Sequence, residues 1–401
     1  MPIPPELGAY VGPAAIPNEA SLARRLVRSS IDLSHQGIPL GLALAASFDL
    51  LVSIRYYNGR NGIQRAGWLW CQASASDIFV YNNACPHCVF QDRYFYVQGN
   101  KPESGTIGPA TSGALRDLLC EYFAETAAGA IRVHKGREPV DIGLTDEDGQ
   151  CILFCEIKSG PLFVPPLVTP HGGNFRAQAG AMPMAGNHQL GSLADAHGIH
   201  LSLLVPTHNA NGYWHWNLGA VDARGNEWAD EALRRSIEDT PNVFRDYVNS
   251  WLALWDSYCA KDRDVRRFWM TNACGRPRNV GEGWPVDNRG SPDKTISDPK
   301  TSVGMDRTDD IKKSTFQMLD IGLALKNKDA NGWTVLVGLL SNLHAARHHQ
   351  EYLAPYEHII WGTRGANDIR NLFDGIISFS QITANHEWVG NVFDWLPNGE
   401  G

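Results

Sequence analysis

The stretch from Val140 to Lys158 most constrains what this chain can fold into. Val140-Asp141-Ile142-Gly143-Leu144 and Cys151-Ile152-Leu153-Phe154-Cys155-Glu156-Ile157-Lys158 are apolar runs with strand character, separated by Thr145-Asp146-Glu147-Asp148-Gly149-Gln150. Asp-Gly between two such runs is a strong hairpin signal. With Asp148-Gly149 as the loop, Glu147 faces Gln150, and continuing the ladder sets Asp141 opposite Glu156. Opposed residues of an antiparallel pair project to one face with Cβ atoms roughly 4.5–5.5 Å apart. Lys158 lies two residues further along that face.

Two carboxylates so close repel each other and do not both stay ionised without a cation between them. Hard oxygen ligands suit Mg²⁺, which keeps several waters and takes phosphate oxygens readily. An amine beside such a site can hold or deprotonate an attacking water. The competing reading is a set of ordinary solvent-facing charges on a half-buried hairpin. Against it stands the strand itself, since a Glu and a Lys set among Cys, Ile, Leu and Phe are costly unless paired or functional.

The pattern Pro139-Val140-Asp141, then fourteen residues, then Glu156-Ile157-Lys158 resembles the PD-(D/E)xK nuclease superfamily. The Pro lies one place further from the Asp than in the family's short form. The resemblance covers roughly residues 109–206 and implies an α/β fold, a restriction-endonuclease-like core with a central mixed β-sheet flanked by helices, plus N-terminal and inserted elaborations. It also implies that Asp141 and Glu156 hold Mg²⁺ and that Lys158 manages the water. A helix precedes the hairpin, as that fold requires. Thr106 to Ser112 supply capping residues and a tolerated Pro109, and Leu115, Leu118, Leu119, Tyr122 and Phe123 then recur at helical spacing. Family members often carry a further acidic residue on this helix, which makes Glu121 a candidate additional Mg²⁺ ligand. An exposed helix charge is the competing reading.

Two segments compete to complete the core. One is a helix over 187–196 followed by a strand over 199–205. The other is a helix from Asp309 to Leu319 followed by a strand from Trp333 to Leu340, which looks more like the family's helix and strand after the motif. A third arrangement puts both in one enlarged sheet, with 159–306 partly an insertion. The expected division is an N-terminal region, 1–105, and a nuclease core with insertions and DNA-recognition elements, 106–401. Residues 1–18, rich in Pro and Gly, read as an arm over the surface, Ser21 to Arg28 as a helix, and Ile38 to Ile54 as helix or strand. Residues 274–306 read as a long loop, a candidate for ordering on DNA.

The eight cysteines show no regular secreted framework. Cys85-Pro86-His87-Cys88 is the exception, because a C-x-x-C knuckle offers two thiolates to tetrahedral zinc, with Cys71 or Cys120 as a third. No second C-x-x-C accompanies it, so two reduced thiols in a turn is the competing reading. Cys151 and Cys155, opposite in face to Glu156, read as core. His344, His348 and His349 read as a surface or DNA-facing cluster, since Ala345 stands where a zinc-protease helix needs Glu. Neither a Gly-x-Ser-x-Gly elbow nor a Gly-x-x-x-x-Gly-Lys-Ser/Thr loop occurs, which removes support for serine hydrolases and P-loop NTPases.

The formal net charge of −8 does not exclude DNA, because a binding groove needs a local basic patch only. Arg263 to Trp269, Arg276-Pro277-Arg278 and Lys312-Lys313 are candidates, each also readable as a solvated face. No uninterrupted apolar stretch reads as a membrane span, and Met1-Pro2-Ile3-Pro4-Pro5-Glu6 lacks the start of a secretion signal. The resemblance therefore implies a cytoplasmic prokaryotic type II restriction endonuclease. It would cut double-stranded DNA as a homodimer with Mg²⁺, leave 5′-phosphates, and be paired with a DNA methyltransferase. The alternatives are a repair or phage-defence nuclease of the same fold without fixed sequence, and a non-catalytic zinc-containing DNA-binding protein.

Overall fold

The computed structural model describes residues 2–58, 67–71, 73–126, 130–169, 198–209, 212–222, 228–281, 284–297, 303–306, 308–326, 330–362 and 369–396. The chain forms two compact units, one from Met1–Phe48, Thr111–Gly160 and Val303–Gly401, the other from Asp49–Ala110 and Pro161–Ser302. This division is discontinuous, whereas the sequence suggested a single cut after residue 105.

The first unit is mixed α/β, built on a seven-stranded mixed sheet. With elements numbered along the chain, its order is β1 (Val11–Ala14), β4 (Ile131–Gly136), β5 (Ile142–Asp146), β6 (Cys151–Ile157), β10 (Thr334–Ser341), β13 (Gly375–Ser378) and β14 (Ile382–Ala384). The β1 to β6 neighbours are antiparallel, β10 runs parallel to both β6 and β13, and β14 returns antiparallel. A separate ribbon joins β11 (Ile360–Gly362) to β12 (Ile369–Asn371). The helices are α1 (Pro5–Gly8), α2 (Leu22–Ser34), α8 (Thr308–Leu325), α9 (Ala354–Glu357) and α10 (Glu387–Val392), with the start of α3 (Leu40–Asn58) and the end of α5 (Ser104–Glu125).

Every residue of β6 is buried, which explains why its sequence is a near-continuous apolar run rather than an alternation. α8 lays Ile311, Met318, Ile321 and Leu325 against Ile152 and Phe154 of β6, Val337 and Leu339 of β10, and Ile376 of β13. That spacing is one stripe of a 3.6-residue helix. Of the two segments that could follow the hairpin, the later one thus joins β6. The earlier strand, β8 (His200–Pro206), belongs to the second unit's sheet, and the helix expected over 187–196 lies outside the described residues.

The reading of 1–18 as a surface arm holds only in part: 16–18 are exposed, but the segment before them is built into the unit. Leu7 and Val11 are buried in the core that includes Phe154, and β1 completes the sheet edge beside β4. The Pro and Gly content fits an edge strand, which does not need every ladder donor. α5 begins earlier than the caps suggested, at Ser104, and accommodates Pro109 within it. Its stripe Leu115, Leu118, Leu119, Tyr122 and Phe123 is buried as expected.

The second unit carries an antiparallel sheet in the order β2 (Leu69–Cys71), β3 (Ser76–Phe79), β7 (Leu167–Val168), β8 and β9 (Tyr213–Ala220). α6 (Trp228–Asp239) packs on β9 and α7 (Pro241–Cys259) on β8, while α4 (Pro86–Phe90) is a single turn. Described parts of 274–306 contain neither helix nor strand beyond one bridge between Val286 and Pro292. Leu40–Tyr57 is long and apolar enough for a membrane span, a length the sequence reading did not credit, but 83% of that window is buried within the protein. Asp49 lies in it, fully buried, its carboxyl pushed up to about 8 by desolvation despite hydrogen bonds donated by Trp251 Nε1 (2.7 Å) and the Phe163 amide (2.8 Å).

Candidate active site

β5 and β6 pair in the register read from the sequence, with Ile142 opposite Cys155 and Asp146 opposite Cys151. One step beyond the last pair, Asp141 falls opposite Glu156. The turn differs from the simple two-residue loop. Residues 147–150 all lie outside the strands, Gln150 adopts φ +50°, and the Gly149 amide donates to Asp146 Oδ1 at 2.8 Å. An Asx-type bond and one left-handed residue close the longer loop without altering register.

Three local devices hold Asp141 at the strand entrance. The Gly136 amide donates to the Asp141 carbonyl at 2.9 Å, the Asp141 amide donates to the Cys155 carbonyl at 3.1 Å, and the Ile157 amide donates to Asp141 Oδ2 at 2.9 Å. Gly136 is required by contact, since a Cβ there would stand 2.2 Å from the Val140 carbonyl oxygen. The strand-to-strand approach that delivers Asp141 therefore depends on a missing side chain.

Asp141 is exposed, Lys158 is half-buried, and Glu156 is buried at 3% exposure. The Glu156 carboxyl is pushed up to about 7, first by burial and next by the Asp141 charge, with Lys158 opposing and a hydrogen bond to Asp141 adding to the rise. Lys158 Nζ pairs with Glu156 Oε1, and the Lys158 amide donates to the Leu340 carbonyl of β10 at 3.0 Å. Sequence and structure therefore agree on which three residues meet. The donor set fits a hard divalent cation: two carboxylates converge, one is too desolvated and too close to the other to ionise easily, and an ammonium already offsets their charge.

Glu121 does not join them. Its carboxylate accepts from Arg24 Nη1 (2.9 Å), the Asn18 amide (2.8 Å) and Ser21 Oγ (3.3 Å), while Ser21 Oγ itself caps α2 by accepting from the Arg24 amide at 3.0 Å. Both Glu121 and Arg24 are buried, so this carboxylate ties α2 to α5 and is neither a metal ligand nor an exposed charge. Glu121→Gln is expected to cost about 1.5–3 kcal/mol of stability by weakening buried hydrogen bonds to a charged group, since Arg24 keeps its pairs with Glu19 and Glu125, with no change in divalent-metal affinity. Urea denaturation and metal titration of the same preparation check both halves.

The histidine cluster also differs from its reading. His344 is buried at 4% exposure in the turn after β10, not on a surface helix face, and its ring approaches Glu357 at 3.4 Å. His349 Nε2 reaches the same Glu357 oxygen at 2.9 Å, whereas His348 instead approaches Glu351 at 3.7 Å. The Glu357 carboxyl is held down at about 2, chiefly by His344, and burial lowers His344 below the usual imidazole range. His344, His349 and Glu357 form one of two clusters of potential metal ligands among the described residues. Glu357 gave no signal in the sequence, because nothing in its local pattern marks it.

The other cluster is Cys71, Cys85 and His87 in the second unit. Cys120, the alternative third thiol, lies on α5 in the first unit. Cys151 and Cys155 are buried in β6, as read, with thiols pushed upward by desolvation. The basic segments are in part internally paired: Arg266 bonds Asp92, Arg278 approaches Asp264 at 3.4 Å, and Phe268 and Trp269 are buried. No protein-family model, no curated protein and no solved structure matches this chain.

Proposed function

We propose that this protein is a Mg²⁺-dependent nuclease of the PD-(D/E)xK type, a type II restriction endonuclease that hydrolyses phosphodiester bonds of duplex DNA and leaves 5′-phosphates. The observation that carries the reading is the meeting of the Asp141 and Glu156 carboxyls beside the Lys158 ammonium at one end of β6. The arrangement around it supports the same reading. A helix, α5, precedes three antiparallel strands, β4, β5 and β6, and a second helix, α8, leads to β10, which lies parallel beside β6. That is the order of parts expected of such a core.

Asp141 and Glu156 would hold the metal, which supplies a water of lowered pKa and stabilises charge gathering on the scissile phosphate. Asp141, reached by solvent and fixed through the Ile157 amide, presents an oxygen at the mouth of the site. Glu156, behind it in the protein interior, supplies a charge in a medium where it acts strongly. With Glu156 engaged by the metal, Lys158 would be left to position the attacking water by donating from its ammonium, or to take the water's proton as the neutral amine. Cutting both strands of a palindrome would follow from a two-fold dimer, and a partner methyltransferase would protect the host sites.

The test is incubation of the full chain with unmethylated phage DNA and Mg²⁺, beside Lys158→Ala. Discrete bands from the native protein, reduced roughly 10²–10⁴-fold in the variant, are the expected result for a lost general-base or water-positioning group. A smear lost equally in the variant would assign the site to a defence or repair nuclease without fixed sequence. DNA left intact across metals and salt concentrations would overturn the nuclease reading.

A further inference from the structure

Cys85-Pro86-His87-Cys88 forms the entry to α4, with Cys85 at the N-cap and Pro86 in the first turn. The Cys88 and Val89 amides both donate to the Cys85 carbonyl, at 3.1 and 3.0 Å, so the chain turns back on itself and sets the two thiols on one side. Pairing of β2 with β3 delivers Cys71, the last residue of β2, to the same place. Cys71 Sγ and Cys85 Sγ stand 3.5 Å apart, and Cys85 Sγ stands 3.9 Å from His87 Nδ1. The ligand atoms of Cys71, Cys85 and His87 all lie within 4.8 Å of one another, and Cys88 stands beside them in the same helical turn, buried in the same apolar cluster as the other two thiols.

These separations suit one particular ion. Zinc–sulfur bonds of about 2.3 Å and zinc–nitrogen bonds of about 2.0–2.1 Å at tetrahedral angles place sulfur atoms roughly 3.8 Å apart and sulfur and nitrogen roughly 3.6 Å apart. A disulfide would need about 2.05 Å between sulfurs, and all eight cysteines are free thiols. The surroundings argue for an ion as well. All four residues are buried, and Leu69, Ile78, Val80, Val97, Val168 and Leu204 pack about the thiols.

We propose that Cys71, Cys85, His87 and Cys88 bind a structural Zn²⁺ in a closed four-ligand site that fastens the end of β2 to α4. The four ligands leave no open position, so the ion has no substrate to activate. It stands apart from the nuclease reading, because none of its ligands belongs to the unit that carries Asp141, Glu156 and Lys158.

The experiment is metal analysis of the full chain, produced without a histidine tag in zinc-supplemented medium, followed by exchange with Co²⁺. Stoichiometric zinc is expected, released as mercurial reagent titrates the thiols of the native protein. The cobalt form should show tetrahedral visible bands and thiolate-to-cobalt charge transfer. Cys71→Ser should weaken that charge transfer by one thiolate's share and His87→Ala should shift the visible bands, whereas Cys120→Ser should leave both unchanged. Should a cysteine variant fail to fold, the mercurial titration of the native chain still decides the matter. Zinc-free native protein whose thiols react freely and take up neither Zn²⁺ nor Co²⁺ would overturn the proposal, as would a Cys71–Cys85 disulfide in the freshly isolated chain.

Discussion

Glu156→Gln is expected to lower Mg²⁺-dependent DNA cleavage by roughly 10³-fold or more, the scale of losing a charged group that stabilises the transition state. The same substitution is expected to flatten the pH profile. In the metal-free protein the Glu156 carboxyl titrates at about 7, raised by burial and by the adjacent Asp141. A cation therefore competes with a proton for this oxygen, and metal affinity and cleavage should climb about tenfold per pH unit below the pKa and level off above it. Stability runs the other way. Because the folded carboxyl keeps its proton between the unfolded value near 4.3 and about 7, the metal-free native state loses stability as pH rises through that window. Added Mg²⁺ should restore it in the native protein and not in Glu156→Gln, whose melting temperature should ignore Mg²⁺ and keep only the pH dependence of other groups such as the buried Asp49. Melting curves at pH 5, 6, 7 and 8 with and without Mg²⁺ test this independently of any DNA substrate. A native protein whose melting temperature ignores Mg²⁺ across that range would mean that Asp141 and Glu156 do not share a cation.

The hairpin was legible because its information is local. Asp148-Gly149 and two apolar runs of fixed length leave little freedom of register, so Asp141, Glu156 and Lys158 could be placed together from letters alone. The loop's actual length was invisible, yet harmless, because strand pairing and not the turn fixes which face each residue occupies. What failed depends on distant chain. Glu121 reads as a helix charge until Arg24, ninety-seven residues earlier, is brought against it. His344 reads as a surface residue until Glu357 is folded beside it. β10 did not fail in this way, since the later apolar run was the favoured one and it joins β6, but the parallel register of that non-local pairing is something no spacing rule encodes. The C-x-x-C knuckle announced itself, while the choice of Cys71 over Cys120 required knowing which thiol shares a unit with it.

Lys326→Met is expected to destabilise the protein by about 3–5 kcal/mol, the cost of leaving a buried ionised partner without its counter-charge. Lys326 follows α8 directly and is 2% exposed in its side chain, with Nζ 2.6 Å from Asp374 Oδ2, itself on an 8% exposed side chain. Its ammonium also donates to the Asn371 carbonyl at 2.8 Å. Asp374 in turn stitches two central strands: its Oδ2 accepts from the Val337 amide at 2.8 Å, and its own amide donates to the Val337 carbonyl at 2.8 Å. Immediately beyond, Gly338 of β10 meets Gly375 of β13 so closely that a Cβ on Gly338 would stand 2.5 Å from the Gly375 carbonyl oxygen. The ion pair thus fixes the end of α8 to the place where the parallel strands begin their ladder. Since α8 also covers β6, a loosened Asp374 should relax the helix against the strand that carries Glu156. Urea denaturation should show a lower midpoint at unchanged slope. Lys326→Met combined with Asp374→Asn should recover part of the loss, because the neutral amide no longer strands a charge while its oxygen still accepts from Val337. If the single substitution proves neutral, the pair is screened by water rather than sealed in the core, and α8 is held by its apolar stripe alone.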